Sequence, residues 1–290
     1  MSGFWKSIRF LVTDHCNFRC KFCHNEGQKK SYVSGHMGFK AFKSVFDALT
    51  EKWMFSDIVF SGGEPFENEA IVPILKYAIE KDVGDVSCAS NFSLTTESQI
   101  QALSGCRIKF NIQFPYADPV RYQASTGQPY FERVVAKIDL ARKSGIEVGV
   151  NTVVRTFDPS QIDGILDFAM GHGVAVKFLP DVGNSSCNNL LSLVNRYLAS
   201  RIVHRVDKGT GAIKWHVLAG NGVVNVLYVN SPCFSKDILT CKQFGELRVT
   251  PQLGIQTCLF GDVVCSVANI SNSEIQERCF TAWKSFRNCS

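Results

Sequence analysis

Ser7-Ile8-Arg9-Phe10-Leu11-Val12-Thr13 runs straight into Asp14-His15-Cys16-Asn17-Phe18-Arg19-Cys20-Lys21-Phe22-Cys23-His24, an apolar stretch followed by three cysteines at C-x3-C-x2-C spacing. The apolar pattern over 7–13 predicts a β-strand, and the loop leaving its end then carries the three thiols. An amphipathic helix is expected over about 38–53. Short apolar strands near 57–61, 84–89, 107–114, 146–154 and 174–179 follow, separated by helical patterns near 68–81, 95–104, 130–144 and 159–171. Such alternation gives right-handed βαβ units and a parallel sheet. Six units fit within the first 180 residues, too few for a closed eight-unit barrel and enough for an open one.

Beyond Pro180 the pattern changes. Asp181 to Asn189 is rich in Gly, Ser and Asn, a helix is expected at about 189–205, and two β-runs, Lys214-Trp215-His216-Val217 and Val223 to Tyr228, flank the turn signal Gly220-Asn221-Gly222. A boundary near 185 divides residues 1–185, an α/β partial (β/α)6 TIM-like barrel, from residues 186–290, a cysteine-rich α+β module. Half of the twelve cysteines, Cys233, Cys241, Cys258, Cys265, Cys279 and Cys289, lie in that second part, which suggests a metal-stabilised module.

The 290 residues are 45% hydrophobic and 20% charged, a globular balance that excludes disorder, collagen-like structure and coiled coil. No apolar run approaches the ~20 residues a membrane-crossing helix needs, and Arg9, Asp14 and Arg19 interrupt any signal-peptide pattern. A cytoplasmic, reducing setting follows, in which the cysteines serve metals or catalysis before disulfides. A net charge of +5, spread over single residues and pairs such as Lys29-Lys30, is too weak for a nucleic-acid partner and leaves a small anionic substrate open.

Three thiolates from one short loop can hold three irons of a 4Fe-4S cube and leave the fourth open to an outside ligand. A zinc knuckle completed by His15 or His24 is the alternative on spacing alone. Ile58-Val59-Phe60-Ser61-Gly62-Gly63-Glu64-Pro65 ends the second strand with two glycines, which let the backbone approach a ligand, and an acid able to accept from an ammonium group. By itself this is also an ordinary strand-to-helix turn. Together the two motifs resemble the radical S-adenosylmethionine (AdoMet) superfamily, whose fold is a partial (β/α)6 barrel. The resemblance implies that Cys16, Cys20 and Cys23 ligate a 4Fe-4S cluster, that AdoMet chelates the open iron, that Gly62, Gly63 and Glu64 hold its methionine end, and that Phe22 packs near its adenine. It further implies an enzyme that makes a 5′-deoxyadenosyl radical and takes a hydrogen from its substrate.

Within that superfamily the chain is similar to the GTP cyclase of molybdenum-cofactor biosynthesis, the MoaA family. Four segments carry this: Ile8 to Asp14; Asp118-Pro119 to Ser125-Thr126-Gly127; Val150-Asn151-Thr152-Val153-Val154; and Leu247-Arg248-Val249-Thr250 leading to Cys258-Leu259-Phe260. The resemblance carries AdoMet contacts onto Gly63, Gln113, Asn151 and Val182, with Asn91 at the matching strand-end turn, and substrate contacts onto Arg9 and Arg248. It departs at Val59 and Gly149, where the family has basic residues, and in the absence of a diglycine tail after Arg287-Asn288-Cys289-Ser290, so GTP cyclisation itself is not expected. An auxiliary 4Fe-4S cluster is implied on Cys233, Cys241 and Cys258, with Cys265 as an optional fourth ligand. The seven residues between Cys233 and Cys241 exceed the family's spacing, and Phe244 stands where its second cysteine would be. Tail zinc is the alternative, and Cys88, Cys106 and Cys187 read as core thiols. The function expected is C–H activation of a small anionic, nucleotide-like or natural-product-precursor substrate, fed by an external electron donor such as flavodoxin or ferredoxin, without nucleic acid or membrane. Modification of a ribosomally made peptide is the second reading, and a non-catalytic metal-binding protein the third.

Overall fold

The computed structural model describes residues 5–24, 35–207, 212–234 and 236–287; Lys29-Lys30 and Cys289 lie outside them. Six strands, β1 (Ser7–Leu11), β2 (Asp57–Ser61), β3 (Asp85–Ser90), β4 (Ile108–Gln113), β5 (Glu147–Val154) and β6 (Ala175–Pro180), lie side by side in chain order and pair in parallel. The crossovers hold α1 (Phe39–Lys52), α2 (Ile71–Glu80), α3 (Glu97–Ala102), α4 (Pro119–Thr126), α5 (Phe131–Lys143) and α6 (Pro159–His172). This is the α/β partial barrel expected from the alternation.

Strand alternation sorts the side chains into two sets. Ile8, Phe10, Ile58, Phe60, Cys88, Phe110, Ile112 and Val150 are wholly buried, and Phe10 packs on Phe42 of α1 at 4.9 Å between ring centroids. The alternate set, Arg9, Val59, Ser87, Lys109, Asn111, Gln113, Gly149, Asn151 and Lys177, faces away from that helix-backed core into the lumen.

Two local expectations needed correction. No helix was expected at α4, although Asp118 caps it through Arg121 N, Pro119 opens it and Gly127 closes it at φ 76°, which are helix start and stop signals in full. The helix expected over 189–205 stops early: α7 covers Leu190–Leu198, and β7 (Ile202–Asp207) follows. β-branched Ile202, Val203 and Val206 prefer the extended state, and β7 pairs antiparallel with β8 (Ala212–Ala219), itself antiparallel to β9 (Gly222–Val229).

The sheet runs through both sides of residue 185. β9 pairs in parallel with β6, while after α8 (Ile238–Phe244) strand β10 (Glu246–Val249) pairs in parallel with the free edge of β1. β11 (Gly254–Gln256) and β12 (Cys265–Ser266) extend that edge, and α9 (Asn272–Ser285) lies on α1, Gln276 Nε2 donating to Ala48 O at 2.8 Å. No described helix is long and apolar enough to cross a membrane.

Candidate active site

The cysteine loop leaves the C-terminal end of β1 and is pinned from three directions. The Gly62–Pro65 turn holds it through backbone: Gly63 N donates to Thr13 O at 2.9 Å and Glu64 N to His15 O at 2.6 Å. The glycines are required by this contact. Gly62 sits at φ 134°, and a Cβ on Gly63 would lie 1.8 Å from His15 O and 3.0 Å from Cys16 N. What the glycines let come close is therefore the cysteine loop itself. From β3, Asn91 Nδ2 donates to Asn17 Oδ1 at 2.8 Å, and Asn17 Nδ2 to Ser93 Oγ at 2.8 Å. From the end of α4, Thr126 O and Ser125 O accept from Arg19 N and Lys21 N, and Gln128 Nε2 reaches Asn17 O at 2.8 Å. Asn68, which no sequence pattern marked, donates to both Val12 O and Met37 O at 2.9 Å.

Held this way, the half-buried thiols of Cys16, Cys20 and Cys23 are near enough to act on one another electrostatically. Burial, the neighbouring Glu64 carboxylate and the Cys23 thiol push Cys16 up to about 11. Burial and the other two thiols push Cys20 up to about 12. Crowded thiolates of this kind need a multivalent cationic partner to stay deprotonated, and the donors already aimed at Cys16 Sγ, Phe18 N at 3.4 Å and Asn91 Nδ2 at 3.8 Å, suit an iron-bound thiolate. The set fits a cubane held by three cysteines.

Glu64 is wholly buried, and its carboxylate is engaged by the protein. Oε1 accepts from Ser90 Oγ at 2.7 Å and Phe66 N at 3.1 Å, and Oε2 from Asn91 N at 2.6 Å. Burial raises it to about 7 against the pull of those three donors. It fastens the glycine turn to the end of β3. Phe22 and Cys23 line a cavity of about 610 Å³ together with Arg155, Asp181, Asn184 and Phe260. Arg155 Nε donates to the buried Asp181 at 3.0 Å, tying the ends of β5 and β6; neither residue was singled out by the sequence. Val182 is half-buried in the same stretch, and Gln113 Nε2 donates to Asn151 O at 3.1 Å.

Arg9 and Arg248 are Cα partners across β1 and β10, so they do converge. The anion between them is internal. Glu246 accepts from Arg9 Nε at 3.0 Å and Nη2 at 2.9 Å, and from Arg248 Nη1 at 2.6 Å. Their convergence needs no bound anion to balance it, because a carboxylate of the chain already meets both guanidiniums. Burial would raise Glu246, but Arg9 and Arg248 more than reverse it and hold the carboxyl at about 2. A carboxyl held below its ordinary 4.5 adds stability that is full above that value and lost as pH falls from 4.5 toward about 2. That gap corresponds to about 3 kcal/mol for a group about a quarter exposed. Glu246→Gln should therefore lower the urea unfolding midpoint at pH 7, with the difference narrowing at pH 3.5; coincident midpoints at pH 7 would refute the assignment.

Cys233 lies in the turn before α8, Cys241 within α8 and Cys258 after β11, all half-buried. Cys265 lies near buried Cys279 of α9, whose thiol is pushed up to about 12 by burial and by Cys265. Cys88 and Cys187 are buried and Cys106 is half-buried.

A family model described as the radical SAM superfamily matches residues 10–169. A probable GTP 3′,8-cyclase of Methanothermobacter thermautotrophicus is 25% identical over 269 residues, covering 87% of this chain and 84% of that protein. The GTP 3′,8-cyclase of Yersinia pestis is 23% identical over 284 residues, covering 93% and 85%. Among solved structures, Streptococcus suis SuiB bound to S-adenosylmethionine superimposes with a TM-score of 0.70 at 13% identity, over 97% of this chain and 65% of that one.

Proposed function

The chain belongs to the radical SAM superfamily, and from that premise we propose that it directs a radical derived from AdoMet at a C–H bond of a small anionic molecule, nucleotide-like or a natural-product precursor. The observation that supports this most is the gathering of Cys16, Cys20 and Cys23 at the mouth of a lumen that carries Arg9, Lys109, Lys177 and Arg248. A 4Fe-4S cluster with AdoMet supplies one-electron cleavage of the sulfonium to a 5′-deoxyadenosyl radical. The chain's own part is to bind, orient and keep water out. Cys16, Cys20 and Cys23 are the cluster ligands in this reading. Gly62, Gly63, Asn91, Gln113, Val182 and Phe22 surround the cofactor, with Glu64 fixing the turn from behind. Cys233, Cys241 and Cys258 are assigned a second, auxiliary 4Fe-4S cluster, and a flavodoxin or ferredoxin in a reducing cytoplasm is the electron source.

GTP is not the substrate in this reading, in spite of the cyclase relatives. Val59 and Gly149 offer the lumen no hydrogen-bond donor from their side chains, and the Arg9–Glu246–Arg248 arrangement is already neutralised in part. Anaerobically reconstituted protein given AdoMet and dithionite should release 5′-deoxyadenosine. Failure to do so with the first cluster loaded would overturn the reading.

A further inference from the structure

Gln113, Asn151 and Lys177 are successive Cα partners across β4, β5 and β6, a single row on the lumen side of the sheet. Two of these side chains are incompletely satisfied. Lys177 Nζ has one long hydrogen bond, 3.4 Å to Asn111 Oδ1, and no carboxylate at ion-pair distance among the described residues. The other lumen cations do have such partners: Lys109 meets Glu147 at 2.6 Å, and Arg9 and Arg248 share Glu246. Beside Lys177, Asn151 Oδ1 is buried with no donor among the described residues. A buried acceptor left without a donor costs about 1–3 kcal/mol, so such an atom calls for a partner supplied from outside. Gly149 and Ala175, one row down, carry too little side chain to supply it.

We propose that Lys177 and Asn151 form the anchor for the substrate's head group, and that this head group is a carboxylate with a hydrogen-bond donor on the neighbouring atom, as in an amino or hydroxy acid. This rests on the reading of the lumen as the substrate chamber of a radical SAM enzyme, and it names the class of anion. An ammonium takes one carboxylate oxygen, while the adjacent carbonyl oxygen demands an N–H or O–H. A polyphosphate fits poorly: it brings several charges to one unpaired cation and sets acceptor oxygens against Asn151 Oδ1. Burial, then Lys109 and Arg9, hold Lys177 down at about 8 against the opposing charge of Asp57, so the amine is mainly protonated at neutral pH yet reactive toward acylating reagents slightly above it.

That reactivity provides the test. Limiting acetic anhydride at pH 8 should acetylate Lys177 of the anaerobic holoprotein, read by peptide mass spectrometry. About 20 mM L-lactate or L-alanine should reduce that labelling by roughly threefold or more, and the same concentration of pyrophosphate should not. Equal or better protection by pyrophosphate would make this a phosphate site, and no protection by either acid would leave no anchor; each overturns the proposal. AdoMet carries an amino acid of its own, so AdoMet affinity is measured in Lys177→Gln as well. A dissociation constant within about twofold of the parent supports the substrate assignment, and a tenfold loss, about 1.4 kcal/mol, would give the pair to the cofactor instead. Failure of the cofactor reading would show separately, as absence of 5′-deoxyadenosine from unlabelled protein.

Discussion

Gly63→Ala is expected to lose the first cluster site and to unfold roughly 10 °C below the parent. The Cβ it introduces would fall 1.8 Å from the carbonyl oxygen of His15, far inside any contact real Cβ atoms make. Neither side can give way. The His15 carbonyl is held by Glu64 N at 2.6 Å, Gly63 N is held by Thr13 O, and Glu64 is locked from behind by Ser90 and Asn91. Moving the turn outward breaks both backbone bonds and separates the loop that positions three thiols from its main support. Forced strain of this kind belongs to the upper range of single substitutions, about 3–5 kcal/mol. For a chain of this size that converts to roughly the stated shift in midpoint. Iron content and a thermal scan of the apo-protein read the two effects independently. Unchanged iron together with an unchanged midpoint would mean that the turn and the loop are not in contact.

Changing Cys16, Cys20 and Cys23 together to alanine should abolish 5′-deoxyadenosine formation while leaving the chain folded. The thiols are half-buried at the rim, and three small residues in their place leave no deep void in the core. Reconstituted parent protein should bind about eight irons, as two cubanes, and the triple variant about half of that. Residual 5′-deoxyadenosine would remove the loop from the chemistry. Stoichiometric zinc in the remaining site would reassign Cys233, Cys241 and Cys258 to a tetrahedral centre and leave the three-cysteine loop untouched.

The sequence reading located the six-unit barrel because strand and helix periodicities are local, and a run such as Asp57–Ser61 announces itself without its neighbours. The cysteine loop and the glycine turn were legible for the same reason. Their relation was not. The glycines were read as making room for a ligand, and the approach they serve is backbone to backbone, across some 47 residues of chain from Cys16 to Gly63. Glu246 escaped notice although it stands beside the quoted Leu247-Arg248, because its importance comes only from pairing of strands 237 residues apart. Lys177 lay inside a strand correctly located. Its isolation from carboxylates depends on which residues face it from β4 and β5, and no local pattern carries that. Helix α4 differs from these: its cap, proline and terminal glycine are all visible in the sequence, but its eight residues are too few to show a clear apolar repeat.

The pairing of β10 with β1 also sets a clock on synthesis. A strand with one open edge exposes a row of unmatched amides and carbonyls to any passing chain. Arg9 and Glu246 are 237 residues apart, so at about 5–20 residues per second the ribosome takes roughly 10–50 s to deliver the strand that covers β1 after β1 itself has emerged. The far edge of the barrel, β6, waits a shorter time for β9. Contacts this distant along the chain form late, after the loop-closure entropy has been overcome. The β1 edge is thus bare through most of translation, until Glu246 arrives between two arginines and β10 covers it, with β11 and β12 added outside it afterwards.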